Sequence, residues 1–111
     1  MATGRPKKLF ASELTTGQVT YYTQPGSGGD DYTIATHVNV TLRDSSKVSI
    51  WVIDTPGSPD DNNVVWDNVK FEVEVTQMFP VVWILEAGDK IVAQAEKANA
   101  VTLRIDGIEV T

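Results

Sequence analysis

Alternation of apolar and polar residues along several runs constrains the fold of this chain more than any other feature. Three runs show it: YTIATHVNVTLR at 32–43, KVSIWVID at 47–54 and VKFEVEVTQM at 69–78. Period two places successive side chains on opposite faces of a strand, so each run predicts a strand with one buried face. Between the first two runs, the segment DSS at 44–46 predicts a hairpin turn.

The other apolar runs also favour strands. VVWIL at 81–85 follows Pro80 and is apolar on both parities, which predicts a short strand covered on both sides. QVTYYT at 18–23, residues 64–66, and two further runs at 91–96 and 101–106 add strands, and no segment carries a helical stripe. The sequence therefore predicts an all-β chain, an antiparallel β-sandwich of about eight strands that is jelly-roll-like.

The last strand contains a break in its alternation. Val101, Leu103 and Ile105 share one parity, but the next apolar residues, Ile108 and Val110, have the other. This slip predicts a β-bulge at Gly107.

Length and charge suggest one domain with a basic arm. The chain has 111 residues, a net charge of -6 and no cysteine, so apolar burial and backbone pairing must hold the fold. Arg5, Lys7 and Lys8 stand apart from the acidic remainder, and we expect residues 1–8 to form a flexible basic arm and residues 9–111 the sandwich. The arm either touches an acidic surface of a partner or is a solvated terminus.

Composition argues against several classes of function. No run is long and apolar enough for a membrane span or a signal peptide, so we expect no membrane partner, and the absence of cysteine suits synthesis in a reducing cytoplasm. The acidic body disfavours direct nucleic-acid binding, which depends on Lys and Arg.

No motif indicates catalysis or a bound cofactor. His37 is the single histidine, it falls on the outward parity of a strand, and no nucleophile motif accompanies it. The run DDNN at 60–63 and the pair Asp30 and Asp31 suit either calcium or ordinary turns. The segment QPGSGGDD lacks the Lys and Ser/Thr of a phosphate loop. We therefore expect no enzyme activity, no cofactor and no catalytic or metal site.

Trp51 and Ile53 are candidate interface residues, together with Arg5, Lys7 and Lys8. Both have the parity opposite to Val48, Ile50 and Val52. They either form apolar surface for a sugar or a neighbouring subunit, or belong to a strand covered on both faces. Exposed apolar surface there predicts a homo-oligomer.

Four segments carry a resemblance to a known group of proteins. LFASELTTGQVTYYTQP, IATHVNVTL, VSIWVID and LEAGDKIVAQAEKANAVTLRIDGIEV cover nearly the whole chain. In this order they resemble the small β-sandwich virion structural proteins of tailed bacteriophages, of the capsid decoration, collar or tail accessory type. The chain departs from that pattern by TYYT in place of TLYT and by the segment MATGRPKK, which has no counterpart.

The resemblance implies a non-enzymatic virion protein that binds other virion proteins, namely the major capsid, portal, collar or tail proteins. A capsid decoration protein that stabilises the head is the first hypothesis. The alternatives are a collar or tail accessory protein, or a fibre-associated module that binds carbohydrate on the host surface.

Overall fold

In the computed structural model, eight strands and no helix make up the regular structure of the described residues, 4–25, 32–54, 57–60, 62–71 and 76–110. The strands are β1 (Gly4–Glu13), β2 (Val19–Thr23), β3 (Tyr32–Leu42), β4 (Ser46–Ile53), β5 (Val64–Phe71), β6 (Thr76–Glu86), β7 (Lys90–Ala95) and β8 (Val101–Val110). Across these ranges there is no helix long and apolar enough to cross a membrane.

The strands form two four-stranded antiparallel sheets. The first sheet has the order β1-β8-β3-β6 and the second β2-β7-β4-β5. β1 pairs with β8, β2 with β7, β3 with β6 and β4 with β5, as if one long hairpin had been rolled into two layers. This is the strand order of a jelly roll, so the predicted fold class is confirmed.

Two strand boundaries differ from those predicted. The run at 69–78 belongs to two strands, since β5 ends at Phe71 and β6 begins at Thr76, while 72–75 lie outside the described residues. β6 then continues through Pro80 to Glu86 and includes VVWIL. Proline is compatible with this strand because β6 is at the edge of its sheet, where a missing N–H need not interrupt a ladder.

The irregularity near Gly107 lies in the neighbouring strand rather than at the glycine. Asp106 and Gly107 pair with His37 and Ala35, so the extra residue is Thr36 of β3. The prediction of a bulge at Gly107 of β8 is therefore wrong, since the bulge lies at Thr36 of the neighbouring strand β3. Because of the bulge, the inward parity of β3 changes: Ala35 is buried before it and Val38 after it, while Ile34 is only half-buried.

The core lies between the sheets and is mainly aliphatic, although Phe10 and Phe71 also belong to it. Its fully buried large side chains include Leu14, Ile50, Leu85, Ile91, Leu103 and Ile105. The predicted arm needs correction, because β1 begins at Gly4 and residues 4–8 pair with β8 from Val110 to Asp106. Residues 1–3 lie outside the described residues.

Candidate assembly surface

The outer face of the first sheet carries the most exposed apolar side chains of the described chain. Val82 is 76% exposed, Met78 60% and Ile84 57%, all on β6, and Ile108 of β8 is 38% exposed. Ile84, Ile34, Ile108 and Pro6 occupy one row across the four strands. We call Val82, Ile84, Ile34 and Ile108 the β6 patch.

β6 exposes these residues because its inward parity is also apolar and is already packed. Phe79, Val81 and Trp83 pack against the core, and Leu85 is fully buried. The rings form an aromatic cluster: Trp66 of β5 lies edge-on to Phe79 at 5.3 Å and to Trp83 at 6.4 Å between centroids. Because these residues occupy the inward face of β6, the alternate residues, which are also apolar, face outward.

Among the described residues, the other sheet edges lack a comparable exposed apolar row. β1 carries Arg5, Lys7 and Lys8, β2 has only five residues, and β5 is distorted at Asn68, where φ is 51°. Charges, shortness and bulges each discourage pairing of an edge strand with another chain. β6 has eleven residues, and from Thr76 to Leu85 none is charged.

A polar cluster ties β1 to β8 and β2. Lys7 Nζ donates to Glu109 Oε2 at 2.7 Å and to the Tyr22 hydroxyl at 3.3 Å, while Arg5 Nη2 donates to Glu109 Oε1 at 3.1 Å. The hydrogen bond from Lys7 is the main cause that lowers the pKa of Glu109, and it raises the pKa of Lys7 in turn. Two of the predicted interface cations thus have a partner within the fold.

A shallow depression of about 460 Å³ lies on the same outer face beside Gly107. Lys8, His37, Arg104 and Asp106 contribute to its lining. Arg104 Nε donates to both carboxylate oxygens of Asp106 at 3.1 Å, and Thr36 Oγ1 lies 3.0 Å from His37 Nδ1. His37 is therefore exposed on the outer face, as its parity indicates.

Trp51 and Ile53 do not together form an exposed surface. Trp51 is half-buried on the outer face of the second sheet, where its register partner Val92 is buried. Ile53 is only 2% exposed, because the chain folds back so that Gly57 lies against it. Ile53 is therefore too buried to contribute exposed apolar surface, contrary to that expectation.

The predicted interface residues are dispersed, since Arg5, Lys7 and Lys8 lie on the first sheet and Trp51 and Ile53 on the second. The β6 patch was not among the predicted sites. The signal that could have found it is the double apolar parity of VVWIL, which we interpreted as a strand covered on both sides.

The residues suggested for calcium form a turn where the structure describes them. Asp60 Oδ1 accepts the N–H groups of Asn62 and Asn63 at 2.8 and 3.2 Å, and Asn63 Oδ1 accepts that of Asp60. Asp30, Asp31 and Asp61 lie outside the described residues. Among the described residues, no group of three or more His, Cys, Asp or Glu side chains is placed to hold a metal ion.

Comparison by sequence finds neither a matching family model nor a matching curated protein. Comparison by structure finds viral chains. One from the infectious bursal disease virus Gx strain matches with a TM-score of 0.58 and 10% identity, over 99% of this chain and 32% of that chain. A chain from a VP2 subviral particle of the same virus matches with a TM-score of 0.56 and 9% identity, over 98% of this chain and 32% of that chain.

A pentameric capsid protein isolated from metagenomic phage sequences is also similar, with a TM-score of 0.43 and 19% identity, over 94% of this chain and 59% of that chain. This chain spans about a third of the length of the infectious bursal disease virus chains it matches. At such low identity the likeness establishes the fold: a jelly-roll β-sandwich of the kind found in chains of viral particles.

Proposed function

We propose that this chain is a non-enzymatic structural protein of a bacteriophage virion, and that it acts as a capsid decoration protein through protein–protein contacts. The observation that carries the proposal is the jelly-roll strand order β1-β8-β3-β6 and β2-β7-β4-β5, together with a structural match to a viral chain that covers 99% of this chain with a TM-score of 0.58. The phage-like order of sequence segments supports the same class independently.

The described surface suits a module that works by docking. It offers an apolar row on an edge strand and, on the same face, a shallow depression to which Lys8, Arg104 and Asp106 contribute. Apolar surface of this kind, bordered by polar residues, marks sites of protein association. The proposed partners are the major capsid protein first, and portal, collar or tail proteins otherwise.

Arg5 and Lys8 remain candidates for contact with such a partner. Both are exposed on β1, the other edge of the first sheet. We expect Arg5→Gln combined with Lys8→Gln to weaken binding to an acidic partner surface while the β1–β8 ladder stays intact. Lys7 is left unchanged in this variant because it makes the shorter bond to Glu109, at 2.7 Å, and also bonds to Tyr22, whereas the Arg5 side chain in the Arg5–Glu109 pair is 75% exposed.

Quantitative mass spectrometry of purified particles of the virus that encodes the chain tests the proposal. A copy number comparable with that of the major capsid protein supports decoration. A few copies per particle would instead favour the collar or tail, and copies confined to fibres would favour a host-surface module in which Trp51 contacts carbohydrate. Absence of the chain from purified particles would refute a virion role altogether.

A further inference from the structure

Two neighbouring rows of side chains on the outer face of the first sheet border the depression beside Gly107. Pro6 and Ile108 are register partners in an apolar row, and Lys8 and Asp106 are register partners in a charged row. We call the space between these two rows the β8 depression. A molecule that enters it meets apolar surface on one side and charged groups on the other.

The carboxylate of Asp106 already has partners within the fold. Arg104 Nε donates to both of its oxygens at 3.1 Å, and Asn39 Nδ2 donates to one of them at 3.4 Å. Arg104 and Asn39 are register partners in the next row, on the side away from Ile108. The hydrogen bonds of Asp106 are therefore directed away from the apolar row, and Arg104 balances its negative charge.

Arg104 has donors left for a further acceptor. Its Nε bonds to Asp106, but no described residue accepts a hydrogen bond from its Nη1 or Nη2. Arg43 differs, because all three of its guanidinium nitrogens donate within the fold, to Asn99 O, Thr102 Oγ1 and Glu13 Oε2. The side chains of Arg104 and Arg43 are 54% and 48% exposed, so exposure does not account for the difference.

The β8 depression also retains a positive charge. Lys8 is exposed and forms no ion pair or side-chain hydrogen bond with another described residue, whereas Lys7 is paired with Glu109. Lys8 and Arg104 carry two positive charges and Asp106 one negative charge, which leaves one positive charge uncompensated. Charges farther away than roughly 8 Å are largely screened at physiological ionic strength, so the local excess decides which ion binds, although the chain is acidic as a whole.

These features favour a carboxylate over a phosphate. One uncompensated positive charge balances a monoanion, whereas a phosphate dianion would add excess negative charge beside Asp106. The planar guanidinium of Arg104 also matches the two oxygens of a carboxylate. On the other side of the depression, Pro6 and Ile108, which is 38% exposed, offer apolar surface to an aliphatic chain attached to that carboxylate.

We propose that the β8 depression binds an aliphatic carboxylate. Arg104 and Lys8 bind the carboxylate group, and Pro6 and Ile108 contact the aliphatic part. The ligand is either a free small molecule or a glutamate side chain of another protein, since both present the same chemistry. The proposal does not rest on the virion role, because ligand binding is a property of the purified chain.

Nuclear magnetic resonance titration of the ¹⁵N-labelled chain with sodium butyrate, at neutral pH and constant ionic strength, tests the proposal. We expect the amide signals of His37 and Gly107 to shift and to saturate with a dissociation constant on the order of millimolar, as two charge-assisted contacts on an open surface allow. Butyramide is the control for charge, because it has nearly the same shape but is neutral. It should cause no saturable shift.

A capped peptide, acetyl-Ala-Glu-Ala-amide, distinguishes the two sources of the carboxylate. Tighter binding of the peptide than of butyrate identifies a protein segment as the ligand, because the flanking backbone then contributes. Binding of butyrate at least as tight identifies a free small carboxylate. Failure of both probes to cause saturable shifts overturns the proposal.

Substitutions locate the site. We expect Arg104→Gln to raise the dissociation constant at least about tenfold, since two charge-assisted hydrogen bonds are lost, and Lys8→Gln to raise it about threefold or more, as for an exposed ion pair. Arg43→Gln is the matched control and should leave binding unchanged. The signals of residues far from the substitution verify that each variant is folded. Equal weakening by Arg104→Gln and Arg43→Gln, or equal shifts with butyramide and butyrate, would refute a built carboxylate site.

Failure of this site and failure of the virion role are separable outcomes. A chain that binds butyrate but is absent from particles supports this proposal and refutes the proposed function. A chain that is present in particles but binds neither butyrate nor the peptide does the reverse.

Discussion

Gly107 lies where β3 bulges against β8, and the bulge leaves no room for a side chain. A Cβ on Gly107 would lie 2.3 Å from the carbonyl oxygen of Ile34 and 3.1 Å from Cα of Ala35. These are backbone atoms, which cannot turn aside as a flexible side chain could. The glycine is required by this close approach, not by a left-handed conformation.

We therefore expect Gly107→Ala to destabilise the fold by about 1–3 kcal/mol, as overpacking does, and Gly107→Val at least as much. Urea unfolding followed by circular dichroism gives the free energy. Gly17→Ala is the matched control, because nothing lies within 4 Å of the Cβ it would add. Equal stabilities of the Gly107 and Gly17 variants would contradict the steric argument.

Glu109 makes the stability of β1 depend on pH. Its folded pKa is lowered, mainly by the hydrogen bond from Lys7, so its contribution is present above its unfolded pKa and is lost as pH falls through the folded pKa. The pKa of Lys7 is raised, so its contribution persists to alkaline pH and is lost only as pH rises through that raised value.

We expect Glu109→Gln to lower the melting temperature at neutral pH, and the difference from wild type to disappear in acid, where the wild-type carboxyl is protonated as well. Melting curves recorded from pH 7 down to pH 2 measure it. Glu13→Gln is the control: its ion pair with Arg43 is well exposed, so we expect a smaller effect. A difference that does not vary with pH would argue against the ion pair as its origin.

At the scale of elements, β1 matters most for how the chain is truncated. Residues 4–8 pair with β8, and removing them exposes the backbone of that strand along half of its length. The basic residues in this segment look like a tail in sequence, but they are side chains of an edge strand.

Deletion of residues 1–8 should therefore lower the melting temperature by several degrees or more, since loss of about 1 kcal/mol corresponds to roughly 4–8 °C in a domain of this size. Arg5→Gln combined with Lys8→Gln keeps the backbone pairing and serves as the control. Unchanged stability of the truncated chain would restore the interpretation of these residues as a free arm.

The aromatic cluster joins the two sheets at the corner between β5 and β6. Trp66 belongs to the second sheet and contacts Phe79 and Trp83 of the first. Trp51, by contrast, is on the outer face of the second sheet. The two tryptophans therefore have different roles, although each lies in a run of similar apolar character.

We expect Trp66→Leu to destabilise the chain by about 2–3 kcal/mol, less than the roughly 3–5 kcal/mol of a fully buried aromatic truncated to alanine, because Trp66 is half-buried. Trp51→Leu should cost less. Denaturant unfolding of both variants measures the difference. A larger loss of stability at Trp51 would mean that packing on the outer face of the second sheet contributes more to the free energy of unfolding than the aromatic cluster does.

At the scale of the whole molecule, one core lies between the two sheets of the described residues. Strands near each end of the sequence, β1 and β8, are neighbours in the first sheet, and most pairings join residues far apart in the chain. Such a topology closes long loops before its contacts form, which slows folding. The same topology leaves the outer face of the first sheet exposed, and the proposed docking to other virion proteins depends on that surface.

Local information in the sequence determined the strands. Period two in YTIATHVNVTLR and KVSIWVID follows from which side chains must be buried, and it sufficed to predict an all-β sandwich of about eight strands. The double apolar parity of VVWIL likewise determined that β6 has two apolar sides.

Only the tertiary structure decided which of those sides is covered and by what. The pairing of residues 4–8 with β8, the bulge at Thr36 and the burial of Ile53 under Gly57 all involve partners that are distant in sequence or folded back in a loop. Alternation specifies that a residue faces one way or the other, but the element that it meets there is set by long-range packing.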